Sequence, residues 1–476
     1  MFNRNIDLLG VDKGTITAPA GCGKTHLIAD ALSRHCEMKP ILVLTHTNAG
    51  VAALRSRLDL AGVSPKHYRL STIDGWAMKL ASLFPRRSEC KDDILRLSNP
   101  TNDYPAIRAA AVRLLKNGHI SDIISSTYSR IIVDEYQDCS IFQHAIVWFA
   151  SQSLPTCVLG DPLQAIFGFG KDQLADWNKH VCIHFPIVGE LNTPWRWVNA
   201  GQAAFGNWLL DVRRKLIEGE AIDLRTSPSN VTWINLDGTS DHAKKLAAAR
   251  TIVKGEDSRV IIIADSKSPA SQRRFASQTP GAVTIEAVDL KDLINFSNNL
   301  DLENNHCVEQ IASFAQMVMT SINPADLISR INSIKQGRNK TEPSDVEKAA
   351  IKLYDTRSHQ SVIDLLVEMN KEAGVTVYRP AVLRSCIGAL RLTIGPNAVD
   401  FKEAAIKIRE QNRLVGRPLP KRSVGSTLLL KGLEADGAVI LDADDLDRKN
   451  LYVAMTRGST SLVICSTRNV LDPPRI

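Results

Sequence analysis

The chain has 476 residues, 44% hydrophobic and 23% charged, with 27 glycines and 21 prolines, which excludes a collagen-like or wholly disordered chain and suits about three domains, or two with insertions. Its 58 Lys+Arg against 51 Asp+Glu leave a net charge of +7, too small a surplus to decide for a polyanionic partner. Nine dispersed cysteines without a C-x-x-C pair remove the usual sequence support for zinc-ribbon or iron–sulfur ligation and fit reduced thiols.

The opening MFNRNIDLLGVDKG lacks the apolar core of a signal peptide, and charges interrupt every long apolar stretch, so a soluble, cytoplasmic protein without a membrane span is expected. Gly14–Ala18 reads as a weak first strand, followed by the loop Ala18-Pro19-Ala20-Gly21-Cys22-Gly23-Lys24-Thr25 and a helix over Thr25–Arg34. Ile41–Leu44, Ile131–Val133 and Cys157–Leu159 are further apolar runs, each leading into a helical pattern, as in a buried parallel sheet. Residues 84–128, opening with PRRSECKDD and carrying Asn99-Pro100 and Tyr104-Pro105, read as a small insertion. Arg259–Ala264 and Ala438–Leu441 predict a second α/β core. Between them, residues 286–420 are mostly helical, as in Val346–Tyr354 and Phe401–Glu410. The basic stretch Arg409–Arg422 reads as a return linker whose charges are either a solvated face or a DNA contact.

Two motifs carry the chemistry. Gly21 and Gly23 let backbone N–H groups curl around phosphate oxygens, Lys24 suits the β- and γ-phosphates, and the Thr25 hydroxyl suits Mg²⁺. Ala20, Cys22 and His26 complete the stretch expected to line the nucleotide. Ile131-Ile132-Val133-Asp134-Glu135 is an apolar strand delivering two carboxylates to its end, the Walker B arrangement: Asp134 for Mg²⁺, Glu135 for the attacking water. Together they point to ATP hydrolysis.

Val133-Asp134-Glu135-Tyr136-Gln137-Asp138 resembles motif II of the UvrD/Rep-like branch of superfamily 1 helicases. Other segments follow in that family's order. Leu44–Asn48 is similar to motif Ia, Ser71–Trp76 to Ib, Gly160–Phe169 to III, Leu191–Arg196 to IV, Leu430–Glu434 to V and Leu451–Arg457 to VI. The resemblance implies Gln164 as γ-phosphate sensor and Arg196 and Arg457 as arginine fingers from the second core. It also implies Trp195 on the adenine and Glu434 on the ribose, although Arg457 at a helix end equally suits carbonyl capping and Trp195 a core. For single-stranded DNA, Phe169 is the first stacking candidate and Trp76 the second, while Thr47, Asn48 and Thr72 suit backbone phosphates. Trp76 stands amid Ile73, Met78 and Leu80, so a core position fits it equally well.

The sequence departs from the family pattern at several points. No glutamine precedes the phosphate loop, His46 replaces an aromatic, Leu428-Leu429 replace polar residues, and Gly170 stands where Arg commonly follows the motif III aromatic. The missing glutamine bears on the preference for ATP, while the other three changes fall mainly on the DNA or coupling side.

The implied fold is two RecA-like parallel-sheet cores of the P-loop NTPase class with a small and a larger helical insertion. The expected segments are 1–83 and 129–187 for the first core, interrupted by 84–128, and 188–285 and 421–476 for the second, interrupted by 286–420. The implied activity is that of an ATP- and Mg²⁺-dependent translocase or 3′→5′ helicase on single-stranded or 3′-tailed DNA. In length and motif style the chain resembles the UvrD-like subunit of the Gabija anti-phage system, which implies an OLD-type nuclease partner in a hetero-oligomer. The alternative is an ATP- and DNA-end-sensing subunit that activates such a nuclease and unwinds little.

Overall fold

The computed structural model describes residues 6–97, 99–168, 173–414 and 419–474. The chain forms two compact units: Met1–Asn230 with Leu446–Thr460 and Val470–Ile476, and Val231–Asp445 with Ser461–Asn469.

The first unit is built on β1 (Lys13–Thr17), β2 (Ile41–Thr45), β3 (Tyr68–Thr72), β4 (Ile131–Val133), β5 (Thr156–Gly160) and β6 (Ile187–Glu190). Their order is β3-β2-β4-β5-β1-β6, and every adjacent pair is parallel. Parallel strands need crossover connections, and the resulting helices bury both sheet faces, so the central strands read as continuous apolar runs. The strand period of two sorts their side chains: Leu42, Leu44, Ile131, Val133 and Val158 enter one apolar layer, while Ile41, Val43, Ile132 and Leu159 enter the other. Ile107, Leu114, Ile120 and Ile124 join the first of these layers, so segment 84–128 packs directly onto the sheet's helical cover. A short antiparallel ribbon, β7 (Ile222–Asp223) with the last strand, Val470–Leu471, closes the unit.

The second unit contains β8 (Val231–Asn235), β9 (Val260–Ile263), β10 (Ala282–Thr284), β11 (Arg422–Gly425), β12 (Ala435–Ile440) and, from Ser461 on, β13 (Gly458–Ser466), ordered β10-β11-β9-β12-β13-β8. Helices from Lys291–Asn299 to Phe401–Leu414 form their own apolar core around Leu293, Ile311, Leu353, Leu366 and Leu390. At its base, buried Arg379 holds Glu286 at 2.7 Å and Asp292 at 2.5 Å. The α/β class with two sheet cores is as expected.

The segmentation differs from the sequence reading, which began the second core at 188 and gave it all of 421–476. Residues 188–230, 446–460 and 470–476 cluster with the first unit. The reason is long-range pairing: β6 hydrogen-bonds to β1, helix Ala203–Glu218 packs on helix Arg448–Met455, and Trp197 Nε1 donates to the Gly458 carbonyl at 2.9 Å. None of these links has a local sequence signature. Among the described residues, no helix is long and apolar enough to cross a membrane.

Candidate nucleotide site

In the first sheet β1 and β4 flank β5, so the loop leaving β1 and the carboxylates leaving β4 emerge at one edge, where parallel sheets carry their sites. The Ala18 N–H donates to the Gly160 carbonyl at 2.8 Å, which ties the start of the loop to β5. Gly21 and Gly23 have φ of +69° and +88°, left-handed values that favour glycine. A Cβ at Gly21 would stand 2.5 Å from Trp197 Cζ3, and one at Gly23 3.0 Å from Trp195 Cδ1, so space as well as backbone demands glycine. Helix Lys24–Arg34 starts on Gly23 without a side-chain cap, leaving its first-turn N–H groups for an anion. The Ala20 N–H donates to the Tyr452 hydroxyl at 3.2 Å.

Lys24 is the hub. Its Nζ lies 2.9 Å from Asp134 Oδ1 and also pairs with Glu135. Burial by itself would depress the Lys24 ammonium, but Asp134 and Glu135 outweigh it and hold it above its ordinary value. Burial, reinforced by Glu135, raises the Asp134 carboxyl against the opposing pull of Lys24. Glu135 has φ of +53°, an uncommon conformation for a side chain of its size. Its N–H donates to Asp134 Oδ1 at 2.9 Å, and its carboxylate accepts from Gln137 Nε2 at 2.6 Å. The Thr25 hydroxyl accepts from Arg57 Nη1 at 2.9 Å. A carboxylate and a hydroxyl beside a phosphate loop form the hard-oxygen donor set that suits Mg²⁺, so Asp134 and Thr25 fit that ion.

The polar chain continues from Gln137. Its Oε1 accepts from the Asp161 N–H at 3.2 Å, and the Asp161 carboxylate accepts from the Leu163 N–H and from Gln164 Nε2, both at 3.2 Å. Asp161 is wholly buried, and Arg213 supplies its counter-charge through Nε and Nη2. Sequence reasoning missed Arg213. A signal existed: in helix Ala203–Glu218 it falls on the face of Phe205, Leu209, Val212 and Leu216, where a charge demands a partner.

Arg196 is bound to the loop through its N–H on the Gly21 carbonyl at 3.0 Å, and its Nη1 donates to the Thr456 carbonyl at 2.6 Å. Arg457 is buried, with Nε donating to the Val453 carbonyl at 2.8 Å and Nη2 to Thr456 Oγ1 at 3.1 Å, the capping use left open by the sequence. Both arginines lie in the unit of the phosphate loop, contrary to their expected place in the second core. Trp195 is half-buried against Gly23, and His26 is exposed on the first helical turn. Glu434 belongs to the second unit, exposed just before β12.

The residues expected on DNA fare differently. Thr47 and Thr72 each cap a helix, accepting from the N–H groups of Gly50 at 3.0 Å and Gly75 at 2.9 Å. Asn48 is exposed at the first position of its helix. Trp76 is corrected: at 2% exposure it packs among Ile73, Ala77, Leu80 and Ile107, so no base can stack on it. Phe169 lies outside the described residues. His46 packs against Phe167 with ring centroids 5.7 Å apart.

No curated protein matches the chain. Among solved structures, it is similar to one titled as a complex of Arterivirus nonstructural protein 10 (helicase) with DNA, at 12% identity and a TM-score of 0.28. That match covers 54% of this chain and about half (49%) of the other. Residues 92–178, which contain both Asp134-Glu135 and the Asp161–Gln164 turn, match the family model of the UvrD/REP helicase N-terminal domain.

Proposed function

We propose that the protein is an ATP-dependent translocase on single-stranded DNA, a 3′→5′ DNA helicase of the UvrD/Rep type. The observation that carries this reading is the unbroken polar chain Lys24–Glu135–Gln137–Asp161–Gln164, which joins the phosphate loop to the segment matching the UvrD/REP family. Lys24 exchanges its two carboxylates for the β- and γ-phosphates of ATP. Asp134 and Thr25 would hold Mg²⁺, which would supply charge neutralisation at the phosphate oxygens. Glu135, released from Lys24 and steadied by Gln137, orients the attacking water and accepts its proton. Arg196, fastened to Gly21 and Thr456, places a permanent delocalised charge beside the loop. Arg457 joins it by giving up the Val453 carbonyl. Trp195 beside Gly23 stacks on the adenine. Thr47, Asn48, Thr72 and Phe169 contact DNA.

The polarity, the nuclease partner of the OLD type and a role in phage defence rest on the family resemblance and on the short insertions. ATPase measured with and without single-stranded DNA, beside displacement of a 3′-tailed duplex, tests the reading. Stimulated turnover with displacement supports it. Stimulated turnover without displacement favours the nuclease-licensing sensor, and no turnover overturns both.

A further inference from the structure

We propose that Arg213 is a positioning residue of the hydrolytic site, acting through Asp161 on Gln164 and Gln137; this rests on the ATPase reading above. Arg213 projects from helix Ala203–Glu218 into the layer at the ends of β5 and β6. Its Nε and Nη2 lie 3.3 and 3.2 Å from Asp161 Oδ1, and its Nη1 lies 3.0 Å from Glu190. Asp161 thus takes Arg213 mainly on Oδ1, while Oδ2 accepts Gln164 Nε2 at 3.2 Å. Its backbone N–H meets Gln137, whose other amide end holds Glu135. Asp161 therefore sets the position of the motif III glutamine through its carboxylate and, through its backbone N–H, that of Gln137 beside the group proposed to align the attacking water.

The charge balance at Asp161 decides how tightly Gln164 is held. With the guanidinium fork in place, the carboxylate is neutralised and the amide shares it on modest terms. Where a lone ammonium replaces the fork, the carboxylate is balanced from one point only and grips the Leu163 N–H and the Gln164 amide more strongly, so Gln164 is withheld from a phosphate and the turn shifts under Gln137. Lys24 and the phosphate loop bind ATP through other atoms, so the loss falls on turnover and spares ATP affinity. Arg214, next in sequence, is exposed and pairs with Asp211 on the same helix, which makes it the control.

The test is steady-state ATPase with single-stranded DNA for the unsubstituted protein, Arg213→Lys, Asp161→Asn, their double variant and Arg214→Lys, each with a thermal melt. Arg213→Lys keeps the charge and loses the fork. Its kcat is expected to fall about tenfold with KM for ATP within about twofold. Asp161→Asn is expected to do the same, and the double variant to be no worse than either single one, because both act on one contact. Arg214→Lys is expected to match the unsubstituted protein. Unchanged kcat in Arg213→Lys, even with a lowered melting temperature, overturns the proposal, as do losses that multiply in the double variant. If Arg213→Lys does not fold, unchanged kcat in Asp161→Asn overturns it instead. An unsubstituted protein without turnover overturns the ATPase reading and this proposal with it, whereas an active one insensitive at Arg213 overturns this proposal alone.

Discussion

The phosphate edge and the segments expected on DNA belong to the same sheet, yet their motif residues are used in opposite ways. At the phosphate edge, Lys24, Asp134, Glu135, Gln137, Asp161 and Gln164 come from three strand ends and bond mainly to one another. In the other region, Thr47 and Thr72 cap their own helices and Trp76 sits in the core. A buried cluster of charges demands mutual compensation, so its members identify one another. A threonine before a helix is explained locally whether or not it also meets a ligand.

The sharpest break of this contrast is Lys24→Ala, expected to lower ATP turnover by at least about a hundredfold. Normal turnover in that variant would remove the phosphate site. Next comes a pair of aromatic truncations. Trp76→Ala is expected to cost about 3–5 kcal/mol in denaturant unfolding, as a large core deletion does. Phe169→Ala is expected to spare basal turnover while weakening single-stranded DNA binding by about 1–3 kcal/mol. Selective loss of DNA binding in Trp76→Ala, with stability kept, would reverse the assignment of the two residues.

The third test concerns the underside of the site. The Tyr136 hydroxyl meets His144 Nδ1 at 2.8 Å, and His144 Nε2 meets His184 Nδ1 at 2.8 Å, with His180 nearby. Burial, reinforced by His184 and His180, holds His144 down to about 4 against an ordinary 6.5. Between those values the unfolded chain binds the proton and the folded chain does not. Stability contributed by this residue therefore rises with pH across that window and is lost on acidification, by up to about 3 kcal/mol. Unfolding curves from about pH 4 to 7 should show this slope, and His144→Gln should flatten it. The smallest effect is expected for Thr72→Ala, about 1 kcal/mol from the lost cap, recovered by Thr72→Ser. A DNA affinity that falls in Thr72→Ala and returns in Thr72→Ser would give that hydroxyl a second role.

Which strands were legible follows in large part from where they lie, although β13, inside its sheet and carrying the buried run Leu462–Cys465, was not read as a strand. Ile41–Leu44, Ile131–Val133, Cys157–Leu159 and Arg259–Ala264 are central, covered on both faces, and read as apolar runs. β3, β6 and β8 lie at sheet edges and keep partly exposed side chains, so their text is mixed and no strand was read there. β11 is buried, but its sequence RSVG carries no apolar run.

The local text of the chain was enough to single out the Gly21–Thr25 loop, the Asp134-Glu135 pair and the turn bearing Gln164, because those residue types at short spacings stand out without reference to distant segments. Tertiary structure alone decided that Arg213 completes the cluster, that Trp76 is core, and that Arg196 and Arg457 share a unit with the loop. The physical reason is separation along the chain: a buried charge and its partner, or two paired strands, need only meet in space. Their immediate neighbours show at most that a partner is needed, as the apolar face around Arg213 does, and not which one it is.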